Sequence, residues 1–298
     1  MENVSLRDLM NRYLQHGKLI RGYAPATLKS YEATFSLFLK EIVVENPQQL
    51  ERKVFEEWFY NGRLKREWSA CTFRDHLKHL NPFMKWLVKE GFVPETYLSE
   101  IEKPRLEQKI PRTLSKVEAQ IVLEAAFNLP YHYRYEKFRN RAMVGIMLLA
   151  GLRRKEVMQL KYGEVSIEDK SVFVRDGKWG KDRIIPMNNR LQSLLFEFIQ
   201  HRKRLDKKSV YFFTAVQKDN PIGDKMIQRL MVRLRKATGL QFSAHTLRHA
   251  FARLMLEGGC DIYTLSKIMG HSKITTTTIY LSCSAQQMGK SVEMHALN

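Results

Sequence analysis

Apolar residues recur at the spacing of an α-helix along the first part of the chain. From residue 5 to about residue 91 they return every three or four positions, which places them on one face of a helix. The first two runs are Leu6, Leu9, Met10 and Tyr13, then Leu28, Tyr31, Phe35, Phe38 and Leu39. Pro25 favours a helix start, and Pro47 favours a break between helices. Gly62 and Gly91 are expected to end later helices, so the pattern predicts a compact module of four helices.

After this module the helical spacing of apolar residues stops, and a linker, a new helix start and two strand-like runs follow. Residues 102–111 are polar and bracketed by prolines that forbid helix continuation, which is typical of an interdomain linker. Ser115, with Glu118 three residues later, forms a capping box that starts a new helical domain. Two β-branched runs at residues 171–175 and 183–186 flank an Asp-Gly turn and predict a small antiparallel hairpin.

The predicted fold is therefore mainly α with a small antiparallel β-sheet, in two domains. The first covers residues 1–103, a linker covers residues 104–112, and the second covers residues 113–298. A chain of 298 residues is long enough for two separate cores.

The two halves of the chain differ in net charge. The sequence holds 50 lysines and arginines against 31 aspartates and glutamates, a formal charge of +19. Residues 1–105 contain 17 basic and 14 acidic residues, whereas residues 106–298 contain 33 and 17. Such an excess indicates a polyanionic partner, because lysine and arginine contacts release the counterions condensed on nucleic acid. The second half carries most of this positive potential.

Membrane and cofactor-dependent classes are disfavoured. The longest apolar run, residues 142–152, is shorter than the roughly 20 residues that span a bilayer, and the first residues lack a signal pattern. We therefore expect a cytoplasmic, nucleoid-associated protein with no membrane partner. The sequence also lacks a glycine-rich phosphate loop, and we predict no cofactor.

Metal binding is disfavoured as well. The three cysteines stand far apart and give neither a disulfide framework nor a cysteine-only zinc site; they are Cys71, Cys260 and Cys283. His245 and His249 have the spacing of a zinc site, but Thr246 stands where a metalloprotease has its glutamate.

Two segments of the second half bring polar side chains together. Arg153 and Glu156 are three residues apart and are therefore neighbours on a helix face. Alone, such an arginine is more often a solvated residue at a helix end. His245 and Arg248 share one face of another predicted helix, whose apolar stripe consists of Leu247, Phe251, Leu254 and Met255.

A third segment ends in a tyrosine. Asp261 is expected to cap a helix that Gly270 ends, so that His271 stands at the start of the next turn. Tyr280 follows nine residues later. Taken singly, one tyrosine among twelve is more often a packed core residue.

In their order and separation these segments resemble the tyrosine recombinase, or phage integrase, family. The motifs are G-L-R-x-x-E at 151–156, G-K-x-x-K-x-R at 177–183, H-x-L-R-H at 245–249, G-H-S at 270–272, and Tyr280. Residues 110–115 and 247–252 are most similar to the Xer subgroup. The resemblance spans nearly the whole chain. It implies a two-domain DNA clamp, with a helical core-binding domain on one side of the duplex and a catalytic domain on the other.

The resemblance also implies a role for each matching residue. Arg153 and Arg248 correspond to the arginines that hold the scissile phosphate, His245 and His271 to supporting histidines, Lys178 to the hairpin lysine, Glu156 to a supporting acid, and Tyr280 to the nucleophile. Guanidiniums suit this task because they bind phosphate oxygens bidentately without changing protonation. Tyr280 needs a proton acceptor, for which His245 is the candidate, and Lys178 is the candidate general acid for the departing 5′-oxygen.

The hairpin and the first motif depart from the family pattern. Trp179 stands where the family commonly has glycine, and Arg154-Lys155 replace a small or aliphatic pair. Lys181 is the neighbouring lysine that could be mistaken for Lys178.

Further basic residues are candidates for DNA contacts. They are Lys65, Arg66, Arg74 and Lys78 in the first domain, and Lys181 and Arg183 in the hairpin. The first four recur with Trp68, Phe73 and Trp86 along a predicted helix. That combination suits an element that enters a DNA groove, and a solvated helix face explains it equally well.

The leading hypothesis is a site-specific DNA recombinase that works through a covalent 3′-phosphotyrosyl intermediate on Tyr280. We expect it to bind a short inverted-repeat site in double-stranded DNA and to act as a homo- or hetero-tetramer on two sites. Chromosome or plasmid dimer resolution and mobile-element recombination are favoured, because the chain begins close to its first helix and leaves no room for an arm-binding domain.

Two alternatives and one segment stay open. The alternatives are an architectural DNA-binding protein without turnover and a type IB topoisomerase-like enzyme that nicks without synapsis. The tail at residues 286–298 is expected either to dock on a neighbouring protomer or to be disordered.

Overall fold

The computed structural model describes residues 4–106, 112–175, 182–271 and 274–280. It divides into two compact units, residues 1–108 and residues 109–298, called here the N-terminal and C-terminal units. In its described part, no helix is long and apolar enough to cross a membrane.

The N-terminal unit consists of the four helices that the apolar spacing predicts. They are α1 (Leu6–Leu19), α2 (Pro25–Glu41), α3 (Arg52–Leu64) and α4 (Ala70–Lys89). Pro25 is the first residue of α2, where its missing N–H has no helical partner to lose. Ser5 and Ser69 cap α1 and α4 with their hydroxyls. The apolar faces meet in an aromatic core that includes Tyr13, Phe38, Phe55, Phe59 and Phe83.

Two expectations for this unit are wrong. Gly62 does not end α3, which continues to Leu64. A Cβ at Gly62 would lie 2.2 Å from the ring of Trp68, so glycine is needed here for close packing. The basic residues between 65 and 78 also do not follow one helix, because the chain turns between α3 and α4. Trp68 and Phe73, which recur with these basic residues in the sequence, are buried in the core.

The C-terminal unit surrounds one central helix. Its helices are α5 (Lys116–Asn128), α6 (Arg134–Leu149), α7 (Arg154–Gln159), α8 (Asn189–Arg204), α9 (Asp224–Thr238), α10 (Ala244–Glu257) and α11 (Ile262–Met269). The buried α6 packs against α5, α8 and α10. The predicted capping box is present, since Ser115 Oγ accepts the Glu118 N–H at 3.2 Å and Glu118 Oε2 accepts the Ser115 N–H at 2.7 Å.

A small antiparallel sheet completes this unit. The predicted hairpin is confirmed as β2 (Ser171–Val174) and β3 (Arg183–Pro186), and a strand that was not predicted, β1 (Val165–Ser166), pairs with β2. Val174 pairs with Arg183, which places Arg183 at the start of β3. The hairpin residues Lys178, Trp179 and Lys181 lie outside the described residues, as does the tail at 286–298.

Candidate active site

One buried carboxylate organises the predicted site. Glu156, 8% exposed, lies in the first turn of α7, which Arg153 precedes. Its Oε2 accepts the Arg153 backbone N–H and its Oε1 accepts the Arg153 guanidinium, both at 2.7 Å. Arg183 binds the same two oxygens, at 3.0 and 2.8 Å, and Arg248 Nη1 lies 4.0 Å from Oε2. Three guanidiniums therefore face a single carboxylate.

The charges of this cluster do not cancel. Burial by itself raises the pKa of Glu156, but the bonds from Arg183 and Arg153 outweigh it and hold that pKa below its ordinary value. Burial, and then the charge of Arg153, lowers the pKa of Arg248 to about 9, which leaves it protonated at neutral pH. The cluster thus keeps an excess of positive charge inside the protein, where an anion is strongly attracted.

The end of α11 holds the three arginines in place. Its last carbonyls accept Arg183 Nε at Ile268 (2.8 Å), Arg248 Nη2 at Met269 (2.6 Å) and Arg153 Nη2 at Gly270 (3.0 Å). Carbonyls at a helix C-terminus lack helical partners and carry the negative end of the helix dipole. They compensate part of the cationic charge without adding a second carboxylate.

Two glycines allow these close approaches. Gly151 has φ +64°, and a Cβ there would lie 2.3 Å from the ring of Phe251. Its carbonyl accepts Arg248 Nη1. Gly270 ends α11 with φ +63°, and a Cβ there would meet the side chain of Arg183 at 3.1 Å. Glycine supplies the positive φ that side chains disfavour, which accounts for its place in both motifs.

The hydrogen bonds of His271 define which of its nitrogens carries the proton. Arg248 Nη2 lies 3.1 Å from Nε2, and a guanidinium only donates, so Nε2 accepts. In the neutral ring Nδ1 is then protonated and donates to Thr277 Oγ1, 2.8 Å away. Burial, followed by the charges of Arg248 and Arg153, lowers the pKa of His271 to about 4. The imidazole is therefore neutral at pH 7 in this structure.

Tyr280 lies beside the arginine cluster. It ends the 3₁₀ turn Thr278–Tyr280, and its ring packs against the cluster of buried residues that includes Phe251 and Leu265. Its hydroxyl is 2.5 Å from His249 Nδ1. Burial raises the pKa of Tyr280, and the charge of Arg248 opposes this only in part. The phenol is therefore protonated at neutral pH and donates to His249.

The proton acceptor expected from the sequence was His245, but the histidine in contact with Tyr280 is His249. Burial, then the nearby charge on His245, lowers the pKa of His249, so that it is neutral and able to accept. His245 occupies an exposed position one turn earlier on α10. Burial, then the charges of Arg154 and Arg248, lowers the pKa of His245.

Sequence reasoning missed two residues of this arrangement, His249 and Thr277. The spacing of His249 from His245 suggested only a metal site, and Thr277 stood in a run of threonines. Throughout the described ranges, no three histidine, cysteine, aspartate or glutamate side chains cluster in a way that could hold a metal ion.

Arg183, predicted as a DNA contact, is bonded within the cluster. All three guanidinium nitrogens of Arg183 are bonded, two to Glu156 and one to Ile268, and its side chain is 8% exposed. Arg183 therefore supports the carboxylate of Glu156, and its DNA contact stays a prediction.

The candidates of the N-terminal unit have individual partners. Arg66 pairs with Glu41, and Lys78 Nζ lies 2.9 Å from Asp75 Oδ1. Arg74 Nε donates to the Pro104 carbonyl at 3.0 Å. Lys65 is an exposed residue at the end of α3. Their DNA contacts stay predictions.

The model of the phage integrase family matches residues 113–287. The tyrosine recombinase XerA of Pyrococcus furiosus is 31% identical over 276 residues, 92% of this chain and 89% of that protein. The tyrosine recombinase XerA of Pyrococcus horikoshii is 30% identical over 252 residues, 79% of this chain and 84% of that protein.

Solved structures share the fold at lower identity. The Tn1549 transposon integrase in complex with a circular intermediate DNA has a TM-score of 0.75 at 18% identity, covering 97% of this chain and 99% of that one. A lambda integrase dimer bound to a COC′ core site has a TM-score of 0.74 at 18% identity, covering 93% and 95%. The resemblance seen in the sequence, including the similarity to Xer proteins, is confirmed. The chain belongs to the phage integrase family and is a tyrosine recombinase, an enzyme that cleaves and rejoins DNA.

Proposed function

We propose that Tyr280 is the nucleophile of this recombinase and that Arg153 and Arg248 hold the scissile phosphate. The observation that carries the proposal is the cluster of three guanidiniums around the single carboxylate of Glu156, next to the hydroxyl of Tyr280. An incoming phosphodiester supplies the missing negative charge. The same positive field stabilises the charge that builds on the non-bridging oxygens as the phenolic oxygen attacks.

The two arginines have donors to offer a phosphate. A guanidinium has five N–H donors. Among the described residues, Arg153 uses its Nη atoms for Glu156 and Gly270, and Arg248 uses its own for Gly151, Met269 and His271. The bonds to Glu156, Gly270, Gly151 and Met269 fix each plane in advance. The bond from Arg248 to His271 Nε2 is the one that is released when that nitrogen takes up a proton.

His271 responds to the phosphate. Its pKa is low because the ring is buried among arginines. A phosphodiester bound to Arg248 brings negative charge beside Nε2 and raises that pKa, because a nearby opposite charge favours the protonated form. His271 then takes up a proton and donates from Nε2 to a phosphate oxygen, while Nδ1 keeps its bond to Thr277.

Tyr280 loses one proton and the leaving oxygen gains one during cleavage. As the Oη–P bond forms, Tyr280 gives its proton to an acceptor, and the contact at 2.5 Å favours His249 over His245 for this task. As the P–O5′ bond breaks, the leaving oxygen takes a proton, which we assign to Lys178. The products are a 3′-phosphotyrosine and a free 5′-hydroxyl. Attack by a 5′-hydroxyl of the second DNA reverses each transfer and rejoins the strand.

We propose that the enzyme binds a short inverted repeat in double-stranded DNA and exchanges strands as a homo- or hetero-tetramer on two sites. Chromosome or plasmid dimer resolution, or mobile-element recombination, is the process that the similarity to Xer proteins favours. Lys65, Arg66, Arg74 and Lys78 are proposed as contacts of the N-terminal unit to the DNA backbone, and Lys181 as one from the hairpin.

A nicked DNA substrate that traps the covalent intermediate tests the proposal. The wild-type protein is expected to give a covalent protein–DNA band, and Tyr280→Phe to bind the same DNA and give none. Tyr263→Phe is the matched control, since Tyr263 is an exposed tyrosine on α11. An adduct that survives in Tyr280→Phe would assign the nucleophile elsewhere. Relaxation of supercoiled DNA without any specific site would favour the topoisomerase-like alternative.

A further inference from the structure

Four consecutive threonines, residues 275–278, lie between His271 and Tyr280, and one of them differs from the others in its burial. Thr277 is fully buried, whereas Thr275, Thr276 and Thr278 are exposed. A run of identical residues gives no reason in sequence to single out one member. The structure does so by placing only Thr277 in the interior of the site.

The side chain of Thr277 orients His271. Its Oγ1 lies 2.8 Å from Nδ1. The opposite nitrogen, Nε2, accepts from Arg248, so Nδ1–H must find its acceptor elsewhere. Thr277 Oγ1 is that acceptor, and it fixes the plane of the ring, while Arg248 fixes the tautomer. Outer partners of this kind commonly determine how a functional histidine is presented.

The main chain of Thr277 supports the nucleophile. Its N–H donates to the Ile274 carbonyl at 2.7 Å, and its carbonyl accepts the Tyr280 N–H at 3.1 Å. These bonds close the two 3₁₀ turns Ile274–Thr276 and Thr278–Tyr280 that carry Tyr280. A displacement of Thr277 therefore moves the phosphate-facing histidine and the nucleophile together.

We propose that Thr277 is a positioning residue that couples His271 to the Tyr280 turn. The inference rests on the proposed roles of His271 and Tyr280. Valine at 277 has nearly the same shape but no acceptor, so it leaves the buried Nδ1–H of His271 without a partner, which is costly. The ring then loses the bond that fixes its plane and presents Nε2 to the phosphate only part of the time.

Three variants test this proposal. Thr277→Val removes the hydroxyl, Thr277→Ser keeps it, and Thr276→Val makes the same change at the exposed neighbour. The rate of covalent adduct formation on nicked DNA is expected to fall about 10- to 100-fold in Thr277→Val, the usual range for the loss of an outer partner. The rate for Thr277→Ser is expected to stay within about threefold of the wild-type rate, and Thr276→Val is expected to react at the wild-type rate.

A second measurement does not depend on catalysis. Proton and nitrogen-15 NMR of the histidine side chains in the free protein is expected to show an Nδ1–H of His271 that exchanges slowly with water in wild type and Thr276→Val, and one that exchanges rapidly in Thr277→Val. If the wild-type protein formed no adduct, the proposed function would be contradicted. The NMR measurement would still show whether Thr277 is hydrogen-bonded to His271. The proposal is overturned if Thr277→Val cleaves at the rate of Thr276→Val, or if Thr277→Ser is as slow as Thr277→Val.

Discussion

Each unit of this recombinase buries a threonine hydroxyl against histidine. In the N-terminal unit, Thr34 Oγ1 lies 3.0 Å from His76 Nδ1 and 2.8 Å from His79 Nδ1. In the C-terminal unit, Thr277 Oγ1 lies 2.8 Å from His271 Nδ1. The local chemistry is the same in both places, but the surroundings differ.

The difference lies in what contacts the rings. His76 packs against the indoles of Trp58 and Trp68, and His79 against the ring of Tyr31. His271 instead faces the guanidinium of Arg248. A half-buried histidine among aromatic rings is part of a core, whereas a half-buried histidine beside three arginines that share one carboxylate is in a site that attracts an anion.

The cations of the two units differ in the same way. In the N-terminal unit, Lys78 has its own carboxylate in Asp75, and both are largely exposed. In the C-terminal unit, three arginines share Glu156 and are completed by backbone carbonyls. The candidate active site therefore differs from the rest of the molecule by buried positive charge that its neighbours do not balance, more than by its number of basic residues.

Removing the supporting arginine should produce the largest effect. Arg183→Leu deprives the buried carboxylate of Glu156 of two hydrogen bonds, and we expect the C-terminal unit to lose about 3–5 kcal/mol of stability. Lys78→Ala removes an exposed ion pair and should cost about 0–1 kcal/mol in the N-terminal unit. Hydrogen exchange of the α10 amides and of the α4 amides measures each unit separately. A loss below about 1 kcal/mol for Arg183→Leu would mean that the two bonds from Arg153 are enough to support Glu156.

The sequence predicted local structure best where a cap or turn residue acts on its own neighbours. The Ser115 box and the limits of α11 at Asp261 and Gly270 are as expected, because capping involves only adjacent backbone groups. The expectation at Gly62 failed because its packing partner, Trp68, comes from the following turn. A tertiary contact of this kind leaves no local signal.

The site was predictable in its residue types but not in its contacts. The family pattern identified Arg153, Arg248 and Tyr280, and the comparisons confirm the family. The carbonyls that hold the arginines have no sequence signature, since every residue carries one. The exchange of His245 for His249 as the partner of Tyr280 depends on where the chain places residue 280 after α11, which spacing along α10 does not reveal.

The two histidines of α10 provide the next test. His249→Ala should slow adduct formation about 100-fold, the lower end of what a positioned acid or base contributes. His249→Asn restores an acceptor atom that does not take up the proton, and should recover less than about tenfold of this loss. His245→Ala is the comparison at the exposed position and should have the smaller effect on this step. Faster adduct formation by His249→Ala would show that the bond to His249 restrains the Tyr280 hydroxyl from attack, and that His249 is not the proton acceptor.

The smallest predicted effect is the pH dependence of the N-terminal unit. Burial lowers the pKa of His76 and of His79, with Asp75 opposing this for both and Lys78 adding to it for His79. The folded unit therefore binds fewer protons than the unfolded chain below about pH 6.5. Its stability should be constant above that pH and decrease as the pH falls, by at most about 1.4 kcal/mol per pH unit for each histidine.

Tryptophan fluorescence reports this transition specifically. With Trp179 replaced by phenylalanine, the remaining tryptophans, Trp58, Trp68 and Trp86, all lie in the N-terminal unit. Urea unfolding at pH 7.5 and 5.5 should then differ by roughly 1–2 kcal/mol, and the paired change His76→Gln with His79→Gln should remove most of the difference. If the paired variant showed the same pH dependence as the protein with both histidines, the change in stability would come from carboxylates elsewhere. The aromatic surroundings of His76 and His79 would then not account for the loss of stability at low pH.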